Sequence, residues 1–467
     1  MAENKAQTRP AGGPPAGNKM GTAPIPGLLF KMALPAICSM MVQAIYNVVD
    51  SIFVSQISED ALAAVTLVFP VQMLLVAVGV GTGIGINSLI ARRLGQKNFE
   101  DANSAATHGF FLAFCSWVVF FLAGLFLSRP FYSWYSDDPG LVDMAVSYGS
   151  IVLCVSIFMM FQCICEKILQ GTGNMVLPMV SHIIGCVVNI ILDPIMIFGY
   201  LGLPAMGVAG AAWATVIGQG CGMLVVLVFV LKKQKEVHIQ LKGFRPSGRV
   251  IKDIYTVALP GMIMQAIPSF VNIFLNMILI SFSTTAVTVL GVYFKLQSFV
   301  FMPTFGLGQG ALPIMGYNYG ARNRERLIQT LKLALGSAIV IMVIGLILFQ
   351  TLPHVFMGFF EAEGEMLRMG IQALRTLSLC FIPAAVGISF SNLFQALGYG
   401  TYSLITTLCR QLFTILPLSF FLSKIYAERG VWMAYPLAEI VSLTVCTILF
   451  IRLYRKEIAT IPKKDHI

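Results

Sequence analysis

Charge is what this sequence has least of. Asp, Glu, Lys and Arg make up 11% of its 467 residues, against roughly 25% in ordinary soluble domains. Hydrophobic residues reach 57%, so the composition cannot dress a water-soluble surface. Ten-residue alternation of apolar and polar residues is also missing, which excludes a membrane-spanning barrel. Apolar runs of about twenty residues recur instead, long enough to cross a bilayer as helices that satisfy their own backbone groups.

Catalytic signatures are missing too. The five histidines (His108, His182, His238, His354, His466) are scattered, with no HExxH spacing. No GxxxxGK[ST] loop occurs, which argues against ATP as the direct energy source. The GxGxG stretches at 81–85 and 306–310 lie inside apolar runs with no preceding strand. They read as close helix packing rather than as a dinucleotide loop. All ten cysteines fall inside apolar runs, where they act as small buried hydrophobes rather than as a disulfide or metal framework. An enzyme, a resident metal and an organic cofactor are therefore not expected.

What is present is an all-α polytopic membrane protein. Twelve spans are predicted, at 28–56, 61–92, 104–128, 145–170, 175–199, 206–232, 251–281, 286–317, 327–352, 367–397, 401–425 and 430–453. The segment 232–252 holds seven Lys and Arg, and the loops at 92–97 and 322–326 are basic, while those at 55–60 and 136–140 are acidic or neutral. The positive-inside rule then puts both termini and the central linker in the cytoplasm of a bacterial inner membrane. The anionic inner leaflet accounts for the net charge of +10 without nucleic acid. The expected organisation is a disordered tail (1–26), a first lobe (27–231), a basic linker (232–250), a second lobe (251–456) and a short tail (457–467). A monomer is expected.

The halves match at one offset of 225 residues. Ala33-Leu34-Pro35 becomes Ala258-Leu259-Pro260. Gly81, Gly83 and Gly85 become Gly306, Gly308 and Gly310. Gly95, Asn98, Gln170 and Gly173 become Gly320, Asn323, Gln395 and Gly398. Six helices per copy is an even number, so both copies face the same way, with a cavity between them.

Ionisable groups in a bilayer are costly and mark function by default. Asp50 and Asp193 sit at similar depth in the outer halves of the first and fifth spans. Asn189 shares a helical face with Asp193, and Asn47 with Asp50. Thr215 on the sixth span lies near the same level. Two carboxylates among amide and hydroxyl oxygens suit a proton or Na⁺. The alternative is a polar cluster that locks these helices together. The offset maps the two acids onto Leu275 and Leu418, so only the first lobe carries the pair. Arg410 and Glu439 read as a buried ion pair, Glu166 and Lys167 as solvated entrance residues, and His182 as a packing residue. Candidate cavity groups are Gln43, Tyr46, Gln162, Gln265, Asn272, Asn276, Tyr293, Lys295, Asn392 and Gln395. The 24 methionines suit a pliable surface for varied ligands.

The strings ALPAICSMMVQAIYNVVDSIFVSQ, ALAAVTLVFP and LGQKN, with YNYGARNRERL in the second half, resemble the multidrug and toxic compound extrusion (MATE) transporters, in particular the DinF/MepA-like bacterial branch. The resemblance covers about residues 28–453. It implies two six-helix lobes in a V and export of small lipophilic or cationic drugs by antiport with H⁺ or Na⁺. It also implies a first-lobe cation site whose pattern matches Asp50, Asn189 with Asp193, and Ala211 with Thr215. The acids that another branch places on the seventh and tenth spans have no match here. Flipping of a lipid-linked precursor is the second reading. Such a cavity calls for several cations, and Lys295 and Arg410 are the main ones available.

Overall fold

The structure, a computed structural model, describes residues 18–232, 234–240 and 242–462. Residues 1–17 and 463–467 of the expected tails lie outside the described residues. Residues 18–26 correct the expected disorder. Lys19–Thr22 forms one turn of helix (α1), capped by the Asn18 side chain, which accepts from the Met20 amide. Met20 itself is fully buried. The Pro- and Gly-rich composition around it hid a single large apolar anchor.

The first half of the chain continues with Ile25–Ser55 (α2), Glu59–Gly95 (α3), Phe99–Phe126 (α4), Ser128–Tyr135 (α5), Pro139–Cys154 (α6), Ile157–Gly171 (α7), Val176–Phe198 (α8) and Val208–Lys232 (α9). The second half comprises Gly248–Ile280 (α10), Thr284–Gly320 (α11), Arg324–Thr351 (α12), Pro353–Gly358 (α13), Gly364–Ser378 (α14), Phe381–Leu397 (α15), Gly400–Arg410 (α16), Leu416–Tyr426 (α17) and Glu428–Leu453 (α18). A π-helical stretch, Gln411–Ile415, joins α16 to α17 in one span. Among the described residues ten spans run continuously, and the bent pairs α6/α7 (44°) and α14/α15 (47°) complete twelve if each pair is counted as one.

The two bends fall at the same place in the repeat, around Val155 and Cys380. In the second copy Pro383 helps, because it has no N–H for the carbonyl one turn back. The first copy has no proline there. Its freed Cys154 carbonyl accepts instead from the Trp117 indole at 2.9 Å, which satisfies a group that lipid cannot.

The cores do not follow the chain halves strictly. Ile25, Leu28, Leu29, Met32 and Ala33, at the start of α2, pack into the core of the second half. Ile254 and Ala258, at the start of α10, pack into that of the first. Each repeat thus lends the first turns of its leading span to the other lobe.

The duplicated glycines permit this exchange. A Cβ on Gly81 or Gly85 would lie within 3.0 Å of α10 backbone oxygens, and one on Gly306 or Gly310 within 2.8 Å of α2 backbone. Small residues are what let helix backbones approach so closely in lipid. The tightest seam joins α3 to α11 at the end that carries the linker. There Gly95 meets the Tyr317 carbonyl and Gly320 meets the Arg92 carbonyl, two halves of one pseudo-symmetric contact. Gly291 lies on the same face of α11 as Gln309, five turns away, with nothing within 4 Å of it. The two lobes are closed against each other on the linker side.

Candidate functional site

The polar residues of the first lobe converge where α2, α3, α6, α8 and α9 meet. Tyr46 and Asp50 lie one turn apart on α2, and Asn189 and Asp193 one turn apart on α8. Asp193 is fully buried, Asn189 and Thr215 are nearly so, and Asp50 is half-buried. The Asn189 amide donates to the Thr215 hydroxyl at 3.3 Å, and that hydroxyl donates to the Ala211 carbonyl at 3.0 Å. Tyr46 and Tyr148 both share hydrogen bonds with Thr215, Tyr148 also with Gln72, and both rings lie in electrostatic range of Asp50 and Asp193.

The oxygens left over define what this arrangement can do. Asp50 Oδ1, Asn189 Oδ1 and both Asp193 carboxylate oxygens are buried with no hydrogen-bond partner among the described residues. Buried carboxylates without donors are too costly to stay charged and bare. Four such oxygens beside two phenols and a hydroxyl suit protonation or a hard cation such as Na⁺, which prefers oxygen ligands. In the second lobe the equivalents of the acids and phenols are apolar, while Asn189 maps onto Thr414. Val271, Leu275, Ala373 and Ile440 stand where Tyr46, Asp50, Tyr148 and Thr215 stand in the first.

Other candidates are redistributed. Tyr46, expected in the cavity, belongs to this acid cluster. Asn47, expected among the cation ligands, is exposed, and its side-chain oxygen accepts from the Gln43 amide at 3.0 Å. Gln43 also reaches His182 Nε2 at 2.7 Å, so His182 bonds α8 to α2 as well as packing. Gln162 faces the interior of the first lobe, donating to Glu166 at 3.1 Å, and Tyr293 is buried in the second lobe. Gln395 lies in the seam, where its carbonyl accepts from Ser88. All three side chains are buried. Asn392 packs against Gly308 and donates to the Ile388 carbonyl at 2.9 Å. Gln265 and Lys295 are exposed, and Asn272 and Asn276 half-buried.

Lys167 overturns the expectation of a solvated entrance. It is 7% exposed, lies against Gly83, and donates to Gln170 at 2.9 Å and to Gln309 across the lobes at 3.3 Å. Gly83 on α3 and Gln309 on α11 cover it from other helices, which its own span could not announce. Arg410 and Glu439 do form a pair, at 3.1 Å. Tyr148 was not among the sequence-derived candidates. Its only signal was a tyrosine in the outer half of the fourth span.

The comparisons agree with the repeat. The MatE family model matches residues 35–195 and again 260–421. The multidrug export protein MepA of Staphylococcus aureus (strain MSSA476) is 23% identical over 418 residues, covering 89% of this chain and 91% of that protein. A solved outward-facing multidrug resistance MATE family transporter of the MOP superfamily superposes with a TM-score of 0.87 at 28% identity, covering 94% of this chain and 98% of that one. A MOP superfamily transporter from Pyrococcus furiosus, described as having a binding pocket of reverse polarity that suggests a different function, gives 0.86 at 27% identity, over 94% and 99%.

Proposed function

Because the chain belongs to the MatE family, we propose that it is a secondary active exporter of lipophilic and cationic small molecules, driven by H⁺ or Na⁺ through the Asp50–Asp193 pair. The observation that carries this reading is the set of unpartnered buried oxygens on Asp50, Asn189 and Asp193, with the two acids replaced by Leu275 and Leu418 in the second lobe. A purely structural polar cluster would be expected to pair its own members. The multidrug export activity named for the Staphylococcus relative supports the substrate class.

In the proposed cycle the linker side faces the cytoplasm of a bacterial inner membrane, as the basic loops suggest. An external cation enters the acid pair and biases the lobes toward releasing substrate outward. Substrate entering from the cytoplasmic side then favours cation release inward. Each ligand shifts the equilibrium only by its differential affinity for the two states.

The test is efflux from proteoliposomes under separately imposed proton and sodium gradients. Asp50→Asn and Asp193→Asn should abolish the response to the coupling gradient. Full efflux with undiminished gradient dependence in either variant would overturn the assignment. Flipping of a lipid-linked precursor remains the second reading, favoured by Lys295, an exposed cation on the α11 face toward the first lobe. The same vesicles, assayed for transbilayer movement of an anionic lipid probe, separate the two.

A further inference from the structure

The segment before the first span touches both lobes at once. Its attachment to the second lobe is extensive. The Arg326 guanidinium donates to the Met20 carbonyl at 3.1 Å and to the Ala23 carbonyl at 2.7 Å. The Asn318 amide also donates to the Met20 carbonyl, at 3.0 Å. Gly21 packs on the Tyr317 ring, and the turns that follow, from Ile25 to Ala33, lie in the second lobe's core.

Its attachment to the first lobe is slighter, with two polar bonds beside the packing of Met20. The Asn18 amide donates to the Thr172 carbonyl at 3.2 Å, at the end of α7, and to Glu236 Oε2 in the linker at 2.6 Å. Met20 rests against Gly173, whose φ of +89° and closeness to Met20 leave little room for a side chain. The linker that carries Glu236 is itself fixed to the first lobe. Its His238 and Gln240 amides donate to Asn103 and Thr107 of α4, and the Ser247 amide meets His108.

We propose that residues 18–23 are a latch, anchored to the second lobe by Arg326 and Asn318 and pinned to the first by Asn18, which holds the linker side shut. The inference rests on the alternating-access reading above. When the lobes separate on that side, the many bonds to the second lobe keep the strap in place and the Asn18 pin gives way. The strap leads directly into α2, so the pin lies just before the helix whose far end carries Asp50. That placement gives the acid pair a mechanical route to the seam.

The experiment is hydrogen exchange read by mass spectrometry on the full chain in lipid nanodiscs, without substrate or ion gradient. Asn18→Ser keeps a side chain able to cap α1 but removes the amide donor. It should speed exchange in the seam peptides at 92–96 and 317–321 by about tenfold, the factor for one hydrogen bond to a charged group. Amides around Asp193 should not change. Arg326→Ala should free residues 20–23 as well as the seam, which gives a second readout if Asn18→Ser folds poorly. Wild-type exchange at the seam in both variants would overturn the latch and leave the export reading standing. Loss of gradient-driven export in Asp50→Asn is an independent result, so failure of one reading is distinguishable from failure of the other.

Discussion

Gly320→Ala is the sharpest probe of the closed seam. The added methyl would lie 2.0 Å from the Arg92 carbonyl oxygen, and the mirror change Gly95→Ala puts one 2.0 Å from that of Tyr317. Neither obstacle is a side chain that can rotate away. Both are helix backbone, so the lobes must part by about 1 Å to restore a 3.0 Å contact. Overpacking of this kind costs about 1–3 kcal/mol, and the whole cost falls on the state closed on the linker side. The closed-to-open ratio should therefore drop by roughly 5- to 150-fold. Hydrogen exchange at 92–96 and 317–321 reads the shift directly, and efflux should slow because closure has become the unfavourable step. Once one methyl has parted the lobes the second meets less resistance, so the double variant should cost less than the sum of the two. Gly291→Ala is the control, since nothing lies within 4 Å of that position. Wild-type exchange and efflux in Gly320→Ala would refute the seam as the closing contact.

Two further outcomes are expected. Arg410→Ala, which leaves Glu439 buried without its cation, should destabilise the protein by about 3–5 kcal/mol, while replacing both members by Met and Leu should cost far less; thermal unfolding of the two variants checks this. Burial pushes the Glu236 carboxyl above its usual 4.5, against a smaller lowering by the Asn18 hydrogen bond. The folded chain then binds more protons than the unfolded one above pH 4.5, so this group's contribution is most favourable in acid and declines as pH rises through its folded value. Glu236→Gln should flatten that decline in a melting series across pH, and an unchanged slope would count against it.

The spans, the repeat and the acid pair were legible in the sequence because each depends on position along a single helix. Apolar length reports crossings, the glycines recur at one offset, and Asp50 and Asp193 could be levelled by counting residues from the helix ends. What stayed hidden depends on which helix packs against which. Lys167 looked solvated because its partner Gln309 lies 142 positions away in sequence. Tyr148 joins the acids only once the fourth span folds beside the first, fifth and sixth. Gln162, Tyr293 and Gln395 were picked out on polarity alone, and their burial depends on neighbouring helices. The bend at Val155 carries no proline, so only Trp117 from the adjacent span reveals it. The strap was concealed by composition, since one methionine does not offset a run of Pro, Gly and Ala in any averaged index.

The exchanged first turns of α2 and α10 bear on how the chain is made. A ribosome delivers the first six spans before α10 exists, so the first lobe reaches the membrane with Gly81 and Gly85 facing an unfilled groove. The start of α2 likewise waits for a core that has not yet been synthesised. Neither half can finish folding until the seventh and eighth spans insert. Severing the chain within the linker should therefore yield two fragments that are unstable when expressed singly, yet recover a working transporter when produced together.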